Sequence, residues 1–141
     1  MRVFLDTNVI LDLLLERDGF EDGVAILQMN DDGKITTCIS ALTVMNVAFV
    51  YKKTVGNSLI VPNIKQLVSI MDVIPLDHEI IEKAIYLDGK DYEDIVQYVS
   101  AVKGGCDCII SRNTKHFHIG PGLAGDYPRI PVYTPGGFLY K

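Results

Sequence analysis

The sequence has few cysteines, no long apolar run and no glycine-rich phosphate loop, and each scarcity excludes a class of protein. Three cysteines cannot form a fully paired disulfide framework, so we expect buried free thiols at Cys38, Cys106 and Cys108. A metal clip at the Cys-x-Cys pair is the lesser alternative, because structural zinc needs four ligands. No segment approaches the roughly 18 apolar residues of a membrane helix. We expect a cytoplasmic protein that makes no use of a membrane.

An excess of positive charge is also lacking, since the formal net charge is −5. That balance argues against a protein that holds nucleic acid through bulk positive charge, but not against an enzyme that meets RNA locally. A group of acids that binds a cation would itself add negative formal charge. The length of 141 residues, with 48% hydrophobic and 22% charged residues, predicts a single globular domain over 1–141.

Apolar periodicity alternates between strand and helix patterns along the chain. Strands are predicted at 2–5, 35–39, 73–76, 108–110 and 130–133, and helices at 7–16, 20–31, 40–53, from about Pro62, and after Asp77 and Asp91. Strands joined by helices require crossover connections, which predicts an α/β fold with a mostly parallel sheet and helices on both faces. The pattern leaves strand order open, although Pro131 places the last strand at an edge. For the helix after Asp77 we expect a buried stripe of Ile80, Ile81, Ala84 and Ile85.

The most informative segment runs from Val3 to Leu11, an apolar run interrupted by Asp6, Thr7 and Asn8. A buried parallel strand reads as a short continuous apolar run, and this one ends before Asp6. Asp6 therefore lies beyond the carboxyl end of a strand, where open α/β sheets bind ligands. Its carboxylate either caps the following helix or holds a metal ion.

A second carboxylate, Asp94, lies in the first turn of the helix that Asp91 opens. Two carboxylates brought together repel each other, and a divalent cation removes that repulsion. Mg²⁺ commonly uses only one or two protein carboxylates, so Asp6 and Asp94 form a sufficient ligand set. The alternative is that Asp91 caps the helix and Asp94 is ordinary helix-start charge. For an additional ligand we favour Asp91 over Glu93, because 91 and 94 share a helix face.

The segment Phe4-Leu5-Asp6-Thr7-Asn8-Val9 resembles the opening motif of the PIN domain, a nuclease fold that includes VapC-type toxins. The order and spacing of the later acidic regions fit that family over essentially the whole chain. The resemblance implies a three-layer α/β/α sandwich and a Mg²⁺- or Mn²⁺-dependent endoribonuclease, the toxin of a toxin–antitoxin pair. It also implies homodimers and a small antitoxin partner whose tail occupies the active groove.

Two positions depart from the family pattern. Asn46 takes the place of the usual acid in a mid-chain helix, and Asn113 that of the acid after the fourth strand. Both keep an oxygen that can bind water, but the lost charges weaken cation binding and disfavour a two-metal mechanism. We expect Asn8, Asn46 and Asn113 to orient water or substrate beside the two acids. The alternative is a weakened PIN fold that binds RNA or a protein without cleavage.

Further polar residues flank these positions. Asp12 is one helical turn from Asn8 and either supports the site or faces solvent. A basic group follows the fourth strand and either binds RNA phosphate or is a solvated loop; its members are Arg112, Lys115, His116 and His118. A dehalogenase-like phosphatase would need an acid where Asn8 stands, so that class is excluded.

Overall fold

The computed structural model describes residues 1–87, 91–117 and 127–140, apart from the side chain of His116. Within them a five-stranded sheet has the order β3-β2-β1-β4-β5. The strands are β1 (Arg2–Leu5), β2 (Thr36–Ser40), β3 (Asp72–Ile74), β4 (Cys108–Ile110) and β5 (Val132–Tyr133). Every pairing is parallel, which confirms the predicted sheet. The last strand lies at an edge directly after Pro131, as predicted.

Helices connect the strands on both sides of the sheet. They are α1 (Thr7–Leu15), α2 (Phe20–Asp31), α3 (Ala41–Thr54), α4 (Ile60–Ile70), α5 (His78–Tyr86), α6 (Tyr92–Lys103) and α7 (Pro135–Leu139), with short 3₁₀ turns at Asn57–Leu59 and Thr114–Phe117. Helix α4 begins two residues before Pro62, because the first turn of a helix tolerates proline. Helix α7 was not predicted, since five residues are too few to show apolar periodicity.

The core has two parts because successive residues of a strand point to opposite faces. Val3 and Leu5 of β1 pack with helices α1, α2 and α3 on one face. Phe4 packs on the other face with Tyr98 and Ala101 of α6. This arrangement gives the three layers of an α/β/α sandwich, as expected. No helix in the described ranges is long and apolar enough to cross a membrane.

The predicted stripe of α5 is wrong in half of its residues. Ile80 and Ala84 are buried, whereas Ile81 is 41% and Ile85 64% exposed. Helix α5 packs chiefly against α6, so only a narrow strip of its surface meets a neighbour. The prediction for the cysteines is confirmed, because all three are buried free thiols.

Candidate active site

A cleft of about 280 Å³ opens beyond the carboxyl ends of β1 and β2. Helices α1 and α3 begin there because they follow those strands, and α6 begins there because it leads back to the start of β4. The residues that line the cleft are Asp6, Thr7, Asn8, Leu11, Asn46, Phe49, Val50, Glu93 and Asp94. Folding therefore brings together Asp6, Asn8, Asn46 and Asp94, as the sequence predicted.

Asp6 is held by hydrogen bonds on both carboxylate oxygens. Oδ1 accepts from the backbone N–H of Thr7 at 2.8 Å, and Oδ2 accepts from the hydroxyl of Ser111 at 3.0 Å. Its own N–H donates to the carbonyl of Ile110, which extends the β1–β4 pairing by one residue. The side chain caps α1 and also lines the cleft, so the two predicted roles do not exclude each other.

Asp91 and Asp94 have different positions at the start of α6. Asp91 is the N-cap, and its Oδ1 accepts from the backbone N–H of Asp94 at 3.2 Å. Asp94 is half-buried and lines the cleft, whereas Asp91 is exposed and does not belong to the cleft lining. The capping interpretation of Asp91 is thereby confirmed. Asp91 was preferred over Glu93 as an additional ligand, but it is Glu93 that lines the cleft.

Asn46 and Glu93 form a contact that the sequence did not reveal. The amide Nδ2 of Asn46 donates to Oε1 of Glu93 at 2.7 Å across the cleft. The pattern along α6 shows which residues share a face of that helix, but it does not show that Asn46 reaches residue 93 from α3. Where the resemblance to the PIN domain implies an acid on α3, this chain has an amide on α3 bonded to an acid on α6.

Asn113, which was expected in the site, is connected to Asp6 through Ser111. The hydroxyl of Ser111 bonds Asp6 and accepts from the backbone N–H of Asn113 at 3.1 Å. Ser111 is buried and directly follows β4. Sequence reasoning missed it, although a small hydroxyl residue directly after a core strand is a readable signal. Asn113 itself is exposed and lies outside the cleft lining.

Asp12 is buried and bound to arginine. Its Oδ1 accepts from Nη1 of Arg112 at 3.0 Å, and Arg17 lies 3.8 Å away. Asp12 therefore does not face solvent. Of the remaining basic group, Lys115 is exposed, while the side chain of His116 and all of His118 lie outside the described residues.

The cleft is lined by oxygen atoms of the kind that hard divalent cations bind. Its donors are the carboxylates of Asp6, Asp94 and Glu93 and the side-chain oxygens of Thr7, Asn8 and Asn46. Mg²⁺ and Mn²⁺ prefer such oxygen ligands, and Mg²⁺ commonly uses one or two carboxylates with water and phosphate. Among the described residues, no three His, Cys, Asp or Glu side chains are arranged to hold a metal. Glu93, bonded to Asn46, does not complete such a group.

Comparison with known proteins now identifies the class. The model of the PIN domain family matches residues 2–115, and the chain belongs to that family. Ribonuclease VapC1 of Aquifex aeolicus (strain VF5) is 34% identical over 123 residues, which cover 83% of this chain and 84% of the relative.

Solved structures share the fold at lower identity. VapBC-1 from nontypeable Haemophilus influenzae has a TM-score of 0.69 at 15% identity and covers 96% of this chain and 99% of its own. VapBC2 from Rickettsia felis, bound to a DNA fragment from its promoter, has a TM-score of 0.68 at 14% identity, with 94% and 98% covered. These likenesses confirm the PIN-like α/β/α sandwich.

Asn46→Asp tests the contact between Asn46 and Glu93. The change replaces a donor 2.7 Å from Glu93 Oε1 with a second carboxylate. Repulsion raises the pKa of the introduced carboxyl in the folded state, so stability falls as pH rises from the ordinary Asp value of about 3.9 through that raised pKa. Because the pair is exposed, we expect a loss of about 0.5–1 kcal/mol at pH 7 and little at pH 4, measured by urea unfolding.

The control adds Glu93→Gln to Asn46→Asp. The double variant reverses donor and acceptor across the same contact and should regain most of the stability at pH 7. High salt should also reduce the loss in the single variant, because screening weakens exposed charge pairs. Equal losses in the single and double variants would show that Glu93 is not the partner that matters.

Proposed function

We propose that this protein is a Mg²⁺- or Mn²⁺-dependent endoribonuclease of the VapC-like toxin class, which hydrolyses phosphodiester bonds in RNA. The observation that carries the proposal is that Asp6 and Asp94, far apart in the chain, line one cleft with Asn8 and Asn46. Membership of the PIN family supports it, as does a relative named a ribonuclease.

The residues of the cleft have different roles in this proposal. Asp6 and Asp94 hold the ion, and Ser111 and the start of α1 keep Asp6 in its rotamer. A bound ion would polarise the scissile phosphate and lower the pKa of the attacking water. Asn8 and Asn46 orient water or substrate in the cleft. The backbone of Asn113 bonds Ser111 at the border of the cleft.

A second candidate function is a weakened PIN fold that binds RNA or a protein without cutting. The observation that favours it is that no three metal-binding side chains converge within the described part of the chain. The two candidates differ in whether the protein binds Mn²⁺ and whether RNA is hydrolysed in its presence.

Asp94→Asn and Asp91→Asn form a matched pair at the start of α6. Each removes one negative charge, and asparagine still caps a helix as well as aspartate does. We expect Asp94→Asn to abolish Mn²⁺ binding and RNA cleavage without loss of fold, and to raise the melting temperature slightly without metal by relieving repulsion. Asp91→Asn should keep Mn²⁺ affinity and cleavage close to those of the unchanged protein.

Titration calorimetry with Mn²⁺ and gel assays on structured RNA measure both outcomes. If the unchanged protein neither binds Mn²⁺ nor cuts RNA in its presence, the second candidate function is favoured. Equal losses in both variants would make Asp91 a ligand as well. Unfolding of Asp94→Asn, with a normal Mn²⁺ response in the folded remainder, would make Asp94 a structural residue.

We propose that Arg112 contacts the RNA backbone beside the cleft. It follows Ser111, which bonds Asp6, and its half-exposed guanidinium is anchored by Asp12. Anchoring reduces the conformational freedom that a long side chain loses on binding. Arg17 lies near the same carboxylate, so this group of one acid and two arginines carries a net positive charge beside the negative cleft.

Arg112→Gln tests this contact. We expect KM for RNA to rise about three- to tenfold and kcat to stay within twofold, because a phosphate contact away from the reacting atoms contributes to binding. The salt dependence of binding should fall by about 0.7 per lost phosphate contact on a single strand. Lys34→Gln is the control and should change neither quantity. It removes an exposed charge just before β2, at the opposite end of the strands from the cleft. A similar effect of both substitutions would indicate that only the net charge of the protein affects RNA binding.

We also propose a small antitoxin partner that covers the cleft, and a homodimer. The structural relatives named above were solved as VapBC assemblies. On α3, Met45 and Phe49 are exposed, and Phe49 lies in the cleft lining beside the acids. An apolar side chain next to carboxylates suits a partner segment with mixed apolar and basic residues.

If a short reading frame lies directly upstream of the gene, Phe49→Ser should weaken binding of the protein that it encodes at least tenfold. Ile85→Ser is the matched control, because Ile85 on α5 is 64% exposed and Phe49 is 61% exposed. Binding is measured by calorimetry with the purified pair, and sedimentation of each variant alone tests the homodimer. Equal weakening by both substitutions, or no binding to the unchanged chain, contradicts the proposed surface.

A further inference from the structure

A buried network of side-chain hydrogen bonds lies beneath the cleft. Its members are Thr7, Ser40, Thr43 and Gln97, and the last three are at most 1% exposed. The hub is the amide of Gln97, whose Nε2 donates to Thr43 Oγ1 at 2.7 Å and to Thr7 Oγ1 at 3.3 Å. Its Oε1 accepts from the hydroxyl of Ser40. Both ends of the amide are therefore used.

The hydroxyl groups also bond to one another. Thr7 Oγ1 and Thr43 Oγ1 lie 3.0 Å apart, and Ser40 Oγ accepts from the backbone N–H of Thr43 at 3.0 Å. Among the described residues, no buried side-chain nitrogen or oxygen is left without a partner. Burying a glutamine costs desolvation free energy, which an apolar side chain of similar size would not. Its presence in the core therefore needs a reason.

Three of the four members of the network stand next to a residue of the cleft. Thr7 directly follows Asp6 and lines the cleft itself. Thr43 lies three residues before Asn46 on α3, and Gln97 three residues after Asp94 on α6. Residues three apart are neighbours on a helix surface. The bonds of Gln97 thus join the first turns of α1 and α3 to the second turn of α6, close to the cleft residues Asp6, Asn46 and Asp94.

We propose that Gln97 is a positioning residue that holds Asp94 against Asp6 and Asn46. The inference rests on the proposed function. Carboxylates that share a cleft repel when no ion is bound, and that repulsion pushes α6 away from α1 and α3. The hydrogen bonds of Gln97 resist the displacement, so the cleft keeps its form before an ion arrives. Preorganisation of this kind improves binding because less rearrangement is needed.

Gln97→Met removes the amide while nearly keeping the volume. We expect Mn²⁺ binding, measured by calorimetry, to weaken at least tenfold. We also expect kcat for RNA to fall at least tenfold while KM stays within twofold, because the network does not touch Arg112. Val99→Ala is the control for stability: Val99 is buried on the same helix but packs with α5 residues. It should lower the melting temperature and leave Mn²⁺ affinity within twofold.

Gln97→Glu supplies a second, independent measurement. A protonated carboxyl can still donate and accept, and burial raises the pKa of a buried acid. Relative to the unchanged protein at each pH, Mn²⁺ affinity of this variant should be nearly normal at pH 6 and reduced at pH 8. Gln97→Met should show the same deficit at both pH values. If Gln97→Met does not fold, the pH dependence of Gln97→Glu decides.

The outcomes separate the two proposals. An unchanged protein that neither binds Mn²⁺ nor cuts RNA overturns both of them. If it binds Mn²⁺ and Gln97→Met binds equally well, only the positioning role of Gln97 is overturned. A loss of affinity in Val99→Ala as large as in Gln97→Met also overturns that role, because general loosening of α6 would then explain both.

Discussion

Negative charge held together at the carboxyl edge of a parallel sheet is the constraint on which the site depends. Two unit charges about 4 Å apart at an effective dielectric constant of 20 repel by about 4 kcal/mol, a large share of a small domain's stability. The fold offsets this with donors aimed at Asp6, from Thr7 N–H and Ser111 O–H. Asp94 lies at the start of α6, where the helix dipole favours an acid.

Exchange of an acid for an amide on α3 changes how the charge is distributed. Asn46 contributes a donor in place of a carboxylate, and that donor bonds Glu93 on α6. The cleft thus keeps a third acid, Glu93, but this acid lies on α6 and not on α3, and it is bonded to an amide. An ion held by Asp6 and Asp94 would leave more of its coordination to water and phosphate than one held by four acids.

The sequence predicted the elements well because they depend on local patterns, and the same patterns placed Asp6 and Asp94 where they line one cleft. Apolar periodicity marks strands and helices, and Asp6 follows the first strand directly. Strand order and the contacts of Glu93 and Gln97 were not predicted, because they depend on elements that are distant in the chain. The stripe of α5 was overestimated for a related reason: periodicity shows which face is apolar, whereas the neighbours decide how much of it is covered.

The proposed substrate contact and the proposed ion site are held by separate sets of side chains. Asp12 on α1 anchors Arg112, which lies after β4, while the hydroxyls and amide beneath the cleft join α1, α3 and α6. These two sets of bonds share no residue, although both include α1. Sequence change in one set can therefore alter RNA affinity without disturbing the carboxylates.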